Sequence, residues 1–293
     1  MSDTHDPIAR GARVHRLPPA FRWPGGRHVA VIFNIAYEAW SDGVAPGVGP
    51  MGNPLAAGIP DTNAISWGAY GSTRGIHRLM RVLDRTGISA SVMVSGILAT
   101  RTPYVLTALV AGGHEIVAHA LAQDLVPARL RAGEEIEMIR HTTALLADAA
   151  GRRPTGWISP RGTPGHDTAR HLLAAGYEWH GDAFDDDRPY VQQFDDGRIV
   201  AVPLTMEIND LPHAMRFGRM PAQFVEAFET QLAYALSAED DALIIDITAH
   251  AHVYGRPSGA WAYEQIARAA AARDDIWLAT RGEVDSHVLT HLL

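Results

Sequence analysis

Residues 243–261 read LIIDITAHAHVYGRPSGAW. Leu243, Ile244, Ile245 and Ile247 make the short apolar, β-branched run of a buried strand. His250 and His252 stand one residue apart at its end, where they have no packing use, and Gly255-Arg256-Pro257 then breaks the chain. From residue 259, GAWAYEQIARAAAAR returns to apolar residues at helical spacing. A buried strand that ends in histidines and feeds a helix is one βα unit of a parallel sheet. In such sheets the polar side chains at the carboxyl ends of strands are candidates for chemistry.

The unit recurs along the chain. HVAVIFNIAYEAW (28–40) holds Val29, Val31, Phe33 and Ile35 in phase as a strand. A segment rich in glycine and proline follows over 41–67, longer than an ordinary connection, and is expected to cover a site or a subunit contact. GSTRGIHRLMRVLDRTG (71–87) sets Ile76, Leu79, Met80 and Leu83 at helical spacing, with Gly87 as its stop. Strand and helix then alternate through ISASVMVSG, TPYVLTALVAGG and HEIVAH. In EEIEMIRHTTALLADAAG (134–151), Ile136, Ile139, Thr143 and Leu146 are predicted to share one buried face. PTGWIS, DTARHLLAAG with Asp167 as its cap, RIVAVPLT, PAQFVEAFETQLAYAL and DIWLAT complete the series. About seven strand–helix units favour an α/β barrel over a doubly wound sheet. Residues 1–293 are read as one domain, with an N-terminal extension (1–27) and a long covering loop (41–67).

Composition excludes several classes. The 293 residues are 47% hydrophobic and 20% charged, with a formal charge of −8, which disfavours nucleic acid and anionic membrane as partners. There is no cysteine, so disulfides, thiolate catalysis and zinc–thiolate sites are ruled out. No apolar run approaches a membrane span and no signal-peptide pattern opens the sequence, so a cytoplasmic protein is expected.

The strand ends supply the candidates. They are Tyr37, Glu38 and Trp40; His119, Gln123 and Asp124; Ser159, Arg161 and His166; His180, Asp182 and Asp185 to Asp187; Glu207, Asn209 and Asp210; and His250, His252 and Arg256. Each has a bland reading: a single strand-end histidine is as often a hydrogen-bonded structural group, and an Asp185–Asp187 run is usually a solvated turn. The collective pattern is stronger, because ionisable residues close several different strands. No Gly-x-Ser-x-Gly elbow, His-Glu-x-x-His pair or phosphate loop is present. One carboxylate with several imidazoles and an arginine suits hydrolysis at a carbonyl. Glu38 would act on water, an imidazole would hold the oxyanion or protonate the leaving nitrogen, and Arg161 would orient a carboxylate.

The ordered series YEAWSDG, WGAYGSTRGIHRL, GGHEIVAHALAQD, GWISPRG, DAFDDDRPY, VPLTMEINDLP and HAHVYGRPSGAW resembles the polysaccharide deacetylase (NodB-homology) superfamily over about residues 27–281. Within it, the closer likeness is to the branch holding the bacterial allantoinase and related cyclic-amide hydrolases. The resemblance implies a distorted (β/α)7-type barrel that cleaves C–N amide bonds. It also implies Glu38, His119, Arg161 and His250 as catalytic residues. Tyr37, Trp40, Gln123, Asp182, Glu207, Asn209, His252 and Arg256 would bind substrate. Metal-dependent members use two aspartates after the first strand and two histidines four apart. Here Glu38 alone stands in the first motif, and Gln123 occupies the second histidine position. The implied zinc set is therefore depleted, no cofactor is expected, and a divalent metal such as zinc would have only Glu38 and His119. Glu38 stands for either the family base or its metal-ligand carboxylate. The implied function is opening of a small cyclic amide, ureide or imide, with a small-molecule substrate and a homo-oligomer, a tetramer in the branch. The rival readings are a sugar N-deacetylase with an atypical metal site and a catalytically silent ligand-binding barrel.

Overall fold

The computed structural model describes residues 4–6, 8–52, 55–56, 58–238 and 241–292. Residues 1–3 and 7 of the expected extension, and 53, 54 and 57 of the expected covering loop, lie outside that set. The chain begins with β1 (Thr4–His5) and β2 (Arg13–Arg16), an antiparallel pair. Then come β3 (Val29–Tyr37), α1 (Thr62–Tyr70), α2 (Ile76–Thr86), β4 (Ser91–Val94), α3 (Leu98–Arg101) and α4 (Pro103–Ala111). β5 (Glu115–Ala118), α5 (Ala132–Ala150), β6 (Gly156–Trp157), α6 (Thr168–Ala174) and β7 (Trp179–His180) follow. β8 (Tyr190–Phe194), β9 (Gly197–Ala201), α7 (Pro221–Ala238), β10 (Leu243–His250), α8 (Pro257–Ala271), β11 (Trp277–Ala279) and α9 (Arg281–Leu292) complete it.

Seven strands run parallel in the order β9-β7-β6-β5-β4-β3-β10, with β11 parallel to β3 and β8, β2 and β1 added antiparallel beyond β9. The ladder is open between β9 and β10, and the segment after β9 spans that opening. Thr205 N and Asp246 Oδ2, and Asp246 N and Thr205 Oγ1, bond reciprocally at 2.9 Å. Thr248 N donates to the Ile208 carbonyl at 2.9 Å, and Asn209 bridges Thr248 in parallel. These contacts bring the two edges together, the architecture of a distorted (β/α) barrel.

Period-2 alternation sorts β3 between two cores. Val29, Val31, Phe33, Ile35 and Tyr37 join the layer between sheet and helices, whereas Ala30, Ile32 and Ala36 belong to the inner cluster with Met93, Val117, Ile158 and Val200. Asn34 is also fully buried, in a polar layer built around Arg281. Arg281 pairs with Asp246 at 2.6 Å and donates to Asn34 Oδ1 (3.0 Å) and the Val202 carbonyl (2.7 Å). Paired and hydrogen-bonded on several sides, that charge meets the condition for sitting in a core.

Most elements lie where the sequence places them, and Gly87 ends α2 with φ 66. In α5 the buried face is Met138, Ile139, Thr142, Thr143 and Leu146, and the expected member Ile136 is 50% exposed. Asp167 precedes α6 without a side-chain cap bond, pairing instead with Arg10.

One junction controls the site end of the barrel. Between α1 and α2 the helix widens into a π-helical turn, Gly71–Gly75, which packs on the turn after β10. A Cβ at Gly75 would overlap the Ala251 carbonyl, and one at Gly255 would overlap Ala251 and Gly75. Neither position has room for a side chain, so the two turns meet backbone to backbone. Gly75→Ala is expected to cost about 2 kcal/mol or more in urea denaturation, the scale of a core clash. Gly133→Ala, with nothing within 4 Å of its Cβ, should stay within about 1 kcal/mol of the parent. Equal effects from the two would remove this junction from the account.

Candidate active site

Strand register sets the positions of the candidates. Tyr37 pairs with Val94 and Val94 with Ala118, while His250 pairs with Ala36. The next residues, Glu38, Ser95 and His119, therefore leave neighbouring strands at one level, and Ala251 N donates to the Ala36 carbonyl (2.9 Å) to bring His252 alongside. All sit at the carboxyl end of the sheet, where parallel α/β folds carry their sites.

Glu38 is the centre. Its Oε1 lies 3.3 Å from His119 Nε2 and 3.7 Å from His250 Nε2, and its Oε2 lies 3.7 Å from His252 Nδ1. Its side chain keeps only 9% of its surface. Burial pushes the Glu38 carboxyl up, but His250, the His119 hydrogen bond and His252 together outweigh burial and hold it at about 2. A carboxylate this enclosed stays ionised only because cationic and N–H groups face it.

Two of the three imidazoles are oriented from behind. His119 Nδ1 donates to the Ile158 carbonyl at 2.6 Å, since a carbonyl can only accept, which leaves Nε2 toward Glu38. Ala120, the next residue, has left-handed backbone (φ 53), a strained turn of the kind found at functional sites. His250 Nδ1 donates to Asp210 Oδ1 at 2.6 Å. Asp210 is fully buried and also accepts from His250 N (2.8 Å) and Tyr254 N (3.0 Å). Burial pushes the Asp210 carboxyl up, but three N–H donors fix it as an acceptor, so it acts as a carboxylate. Burial likewise pulls His250 down, yet Asp210 and Glu38 on either side raise it to about 9. His252 is different. Burial holds it at about 4, against the pull of Glu38, with the His250 and Arg256 charges adding to the effect. It stays neutral, its Nδ1 is buried without a hydrogen-bond partner, and Trp40 and Trp67 meet its ring edge-on at 5.3 and 4.7 Å.

The other expected residues distribute unevenly. Gln123 buttresses the loop: its Nε2 donates to Ser95 Oγ (3.0 Å) and the His119 carbonyl, and its N–H to the Ala39 carbonyl (2.9 Å). Ser95, absent from the sequence candidates, also accepts from Ala39 N (3.2 Å). Asp182 accepts from Ser159 N (2.7 Å) and Ser159 Oγ (2.5 Å), which leaves it a structural anchor, and Asn209 bonds Leu211 N. Tyr37 faces the helix layer, where its hydroxyl meets Thr102 Oγ1 at 2.8 Å, the opposite side of β3 from Glu38. Glu207 is exposed. Arg161 is also exposed, on a turn where its own backbone is left-handed (φ 61), and it makes no side-chain bond among the described residues. The structure thus gathers Glu38, His119, His250 and His252 and leaves Arg161 apart. A cavity of about 540 Å³ opens among Ser89, Glu115, Arg152, Thr155, Thr280 and Ser286, at the amino ends of the strands. It contains none of the converging groups.

Residues 69–180 match the polysaccharide deacetylase family model. The chain is 22% identical to a peptidoglycan deacetylase of Helicobacter pylori over 268 residues, covering 79% of this chain and 88% of that protein. A probable polysaccharide deacetylase from Pseudomonas aeruginosa PAO1 superposes with TM-score 0.82 and 26% identity, over 93% of this chain and 94% of that one. PuuE allantoinase superposes with TM-score 0.81 and 25% identity, over 99% of both chains. The metal implied by the deacetylase frame does not suit the donors present. Gln123 stands in a ligand position with its amide nitrogen turned to Ser95, and among the described residues no three His, Cys, Asp or Glu side chains are arranged to hold one ion. Among those residues, no helix is long and apolar enough to cross a membrane.

Asp210 carries the geometry of His250, and its loss would leave a buried imidazolium and two orphaned backbone N–H groups. Asp210→Ala is expected to lower stability by about 3–5 kcal/mol in urea denaturation near neutral pH. A loss below about 1 kcal/mol would show that the pair does not hold the strand end.

Proposed function

We propose that the chain is a hydrolase of carbon–nitrogen bonds that opens a small cyclic amide, ureide or imide. This reading is supported by the match of residues 69–180 to the polysaccharide deacetylase family model and by the likeness to a peptidoglycan deacetylase and to PuuE allantoinase. The observation that carries this reading is a single ionised carboxylate, Glu38 after β3, enclosed by three imidazoles, with Gln123 rather than a second histidine four residues beyond His119 after β5. The likeness to PuuE allantoinase over the full chain supports the ring substrate. The reaction is proposed to run on side chains, without a metal.

In this mechanism Glu38 takes a proton from water as the water oxygen adds to the ring carbonyl. His252 Nδ1, otherwise unpartnered, bonds the attacking water from the Oε2 side. As the C–N bond breaks, His250 Nε2–H protonates the departing nitrogen, and Asp210 holds the imidazole in that orientation throughout. Glu38 beside a cationic His250 is a weak base at rest. Loss of the His250 proton removes that charge, so Glu38 gains affinity for its own proton during the same step. The proton then returns from Glu38 to His250, and the products are a carboxylic or carbamic acid and the freed nitrogen on one opened chain.

A second reading, removal of an exocyclic N-acetyl group from a sugar, is favoured by the likeness to the peptidoglycan deacetylase. One screen separates them: cyclic ureides and imides against N-acetylated oligosaccharides, each with and without a chelator. Ring opening that survives the chelator is expected, with Glu38→Gln and His250→Ala each lowering turnover by about 10²–10⁴. Hydrolysis of acetylated sugar alone, abolished by the chelator, would refute the ring-opening reading. Near-parental rates in both variants would refute the site.

A further inference from the structure

The geometry points to Arg256 as a receptor for a carboxylate carried by the substrate, so that the substrate class becomes acidic cyclic ureides or imides; this rests on the ring-opening reading above. Arg256 directly precedes α8 and is half-buried. Its Nε donates to the His252 carbonyl at 3.2 Å, and its guanidinium lies over the Tyr70 ring, 4.1 Å from the centroid. Tyr70 is itself pinned, since its hydroxyl accepts from Arg78 Nη1 at 2.7 Å and Arg78 also donates to the Gly255 carbonyl. Behind all three, Gly75 and Gly255 set the π-helical turn against the turn after β10 with no space for adjustment. The guanidinium is therefore fixed in place and direction before any ligand arrives.

Its donors are not used up. Among the described residues Arg256 has no carboxylate partner, and neither of its Nη groups makes a hydrogen bond. Other arginines of this chain show the contrast: Arg85 pairs with Glu264, Arg140 with Glu137 and Arg273 with Asp275. A planar fork stacked on an aromatic ring and held through Nε presents its Nη edge as a bidentate match for a carboxylate. The residue whose carbonyl holds that Nε is His252, whose Nδ1 stands 3.7 Å from Glu38. Arg256 is thus joined directly to a member of the reacting cluster. A ligand whose scissile ring meets Glu38 would set an acidic arm on Arg256, which orients the ring and excludes neutral analogues by lost affinity.

The test uses hydantoin and hydantoin-5-acetic acid as neutral and acidic probes. Binding is measured by calorimetry on the full chain carrying Glu38→Gln, so that turnover does not intervene. The acid is expected to bind roughly 10- to 100-fold more tightly than hydantoin, the range of a charged hydrogen-bonded pair. Adding Arg256→Ala should bring the ratio close to one. Arg256→Lys and Tyr70→Leu, which keep a charge or loosen its platform, should give intermediate ratios. An unchanged ratio in these variants, or no preference at the start, would overturn the assignment. Ring opening by the parent protein is scored separately. Its failure would remove the proposed reaction, while the binding ratio would still decide the role of Arg256.

Discussion

A carboxylate enclosed by three imidazoles is the constraint on which this molecule depends. Glu38 has little contact with solvent, and a charge so placed would be neutralised unless groups of opposite sign or N–H donors surrounded it. Its neighbours come from distant parts of the chain: His119 from the end of β5, and His250 and His252 from the end of β10. None is oriented by Glu38 alone. The Ile158 carbonyl turns His119 and Asp210 turns His250, so the carbonyl end of β6 and the segment that closes the barrel are both part of the charge balance. Two of the three imidazoles have opposite proton states for a physical reason. His250 lies between two carboxylates that outweigh its burial, whereas burial dominates at His252 and the His250 and Arg256 charges add to it against the pull of Glu38. An acid and a neutral hydrogen-bonding group are thereby held against one base.

The fold serves this arrangement through closeness rather than through a large hollow. The inner strand faces fill with Ala30, Ile32, Ala36 and their neighbours, then with the Arg281–Asp246–Asn34 layer, before the strand ends reach Glu38. The barrel edges meet through Thr205, Ile208 and Asn209 against β10, and the next residue in that segment is Asp210. Closure of the sheet and placement of the His250 partner are therefore one structural event. On the other side, the glycine contact between the π-helical turn and residues 251–255 sets Trp67, Tyr70 and Arg256 around His252.

Much of this is legible in the sequence, and the misses have physical causes. Apolar strands that stop at Glu38, His119 and His250 mark those residues together, because ionisable groups closing several neighbouring parallel strands lie at one level of the sheet. Tyr37 shares the phase of Ile35 on β3, and the structure places it on the helix side of the strand, away from Glu38. Asp210 is one of several strand-end acids in the sequence, and nothing local distinguishes it from Glu207 or Asp182. Its partner lies 40 positions away, and only the closure of the barrel brings them together. Arg161 sits before Gly162 in a Pro-Arg-Gly turn, but a left-handed arginine cannot be read from composition. Ile136 shows the limit of helical periodicity, because several apolar stripes of α5 were available and the neighbouring elements selected the one through Met138 and Thr142.

The proton states around Glu38 can be observed directly by following the imidazole ¹⁵N resonances of His250 and His252 as pH is varied in the intact protein. His250 should carry protons on both ring nitrogens through neutral pH and lose one near 9, while His252 should remain singly protonated until pH falls to about 4. Ordinary titration of both rings near 6.5 would contradict the account, because it would mean that Glu38 and Asp210 do not enclose His250.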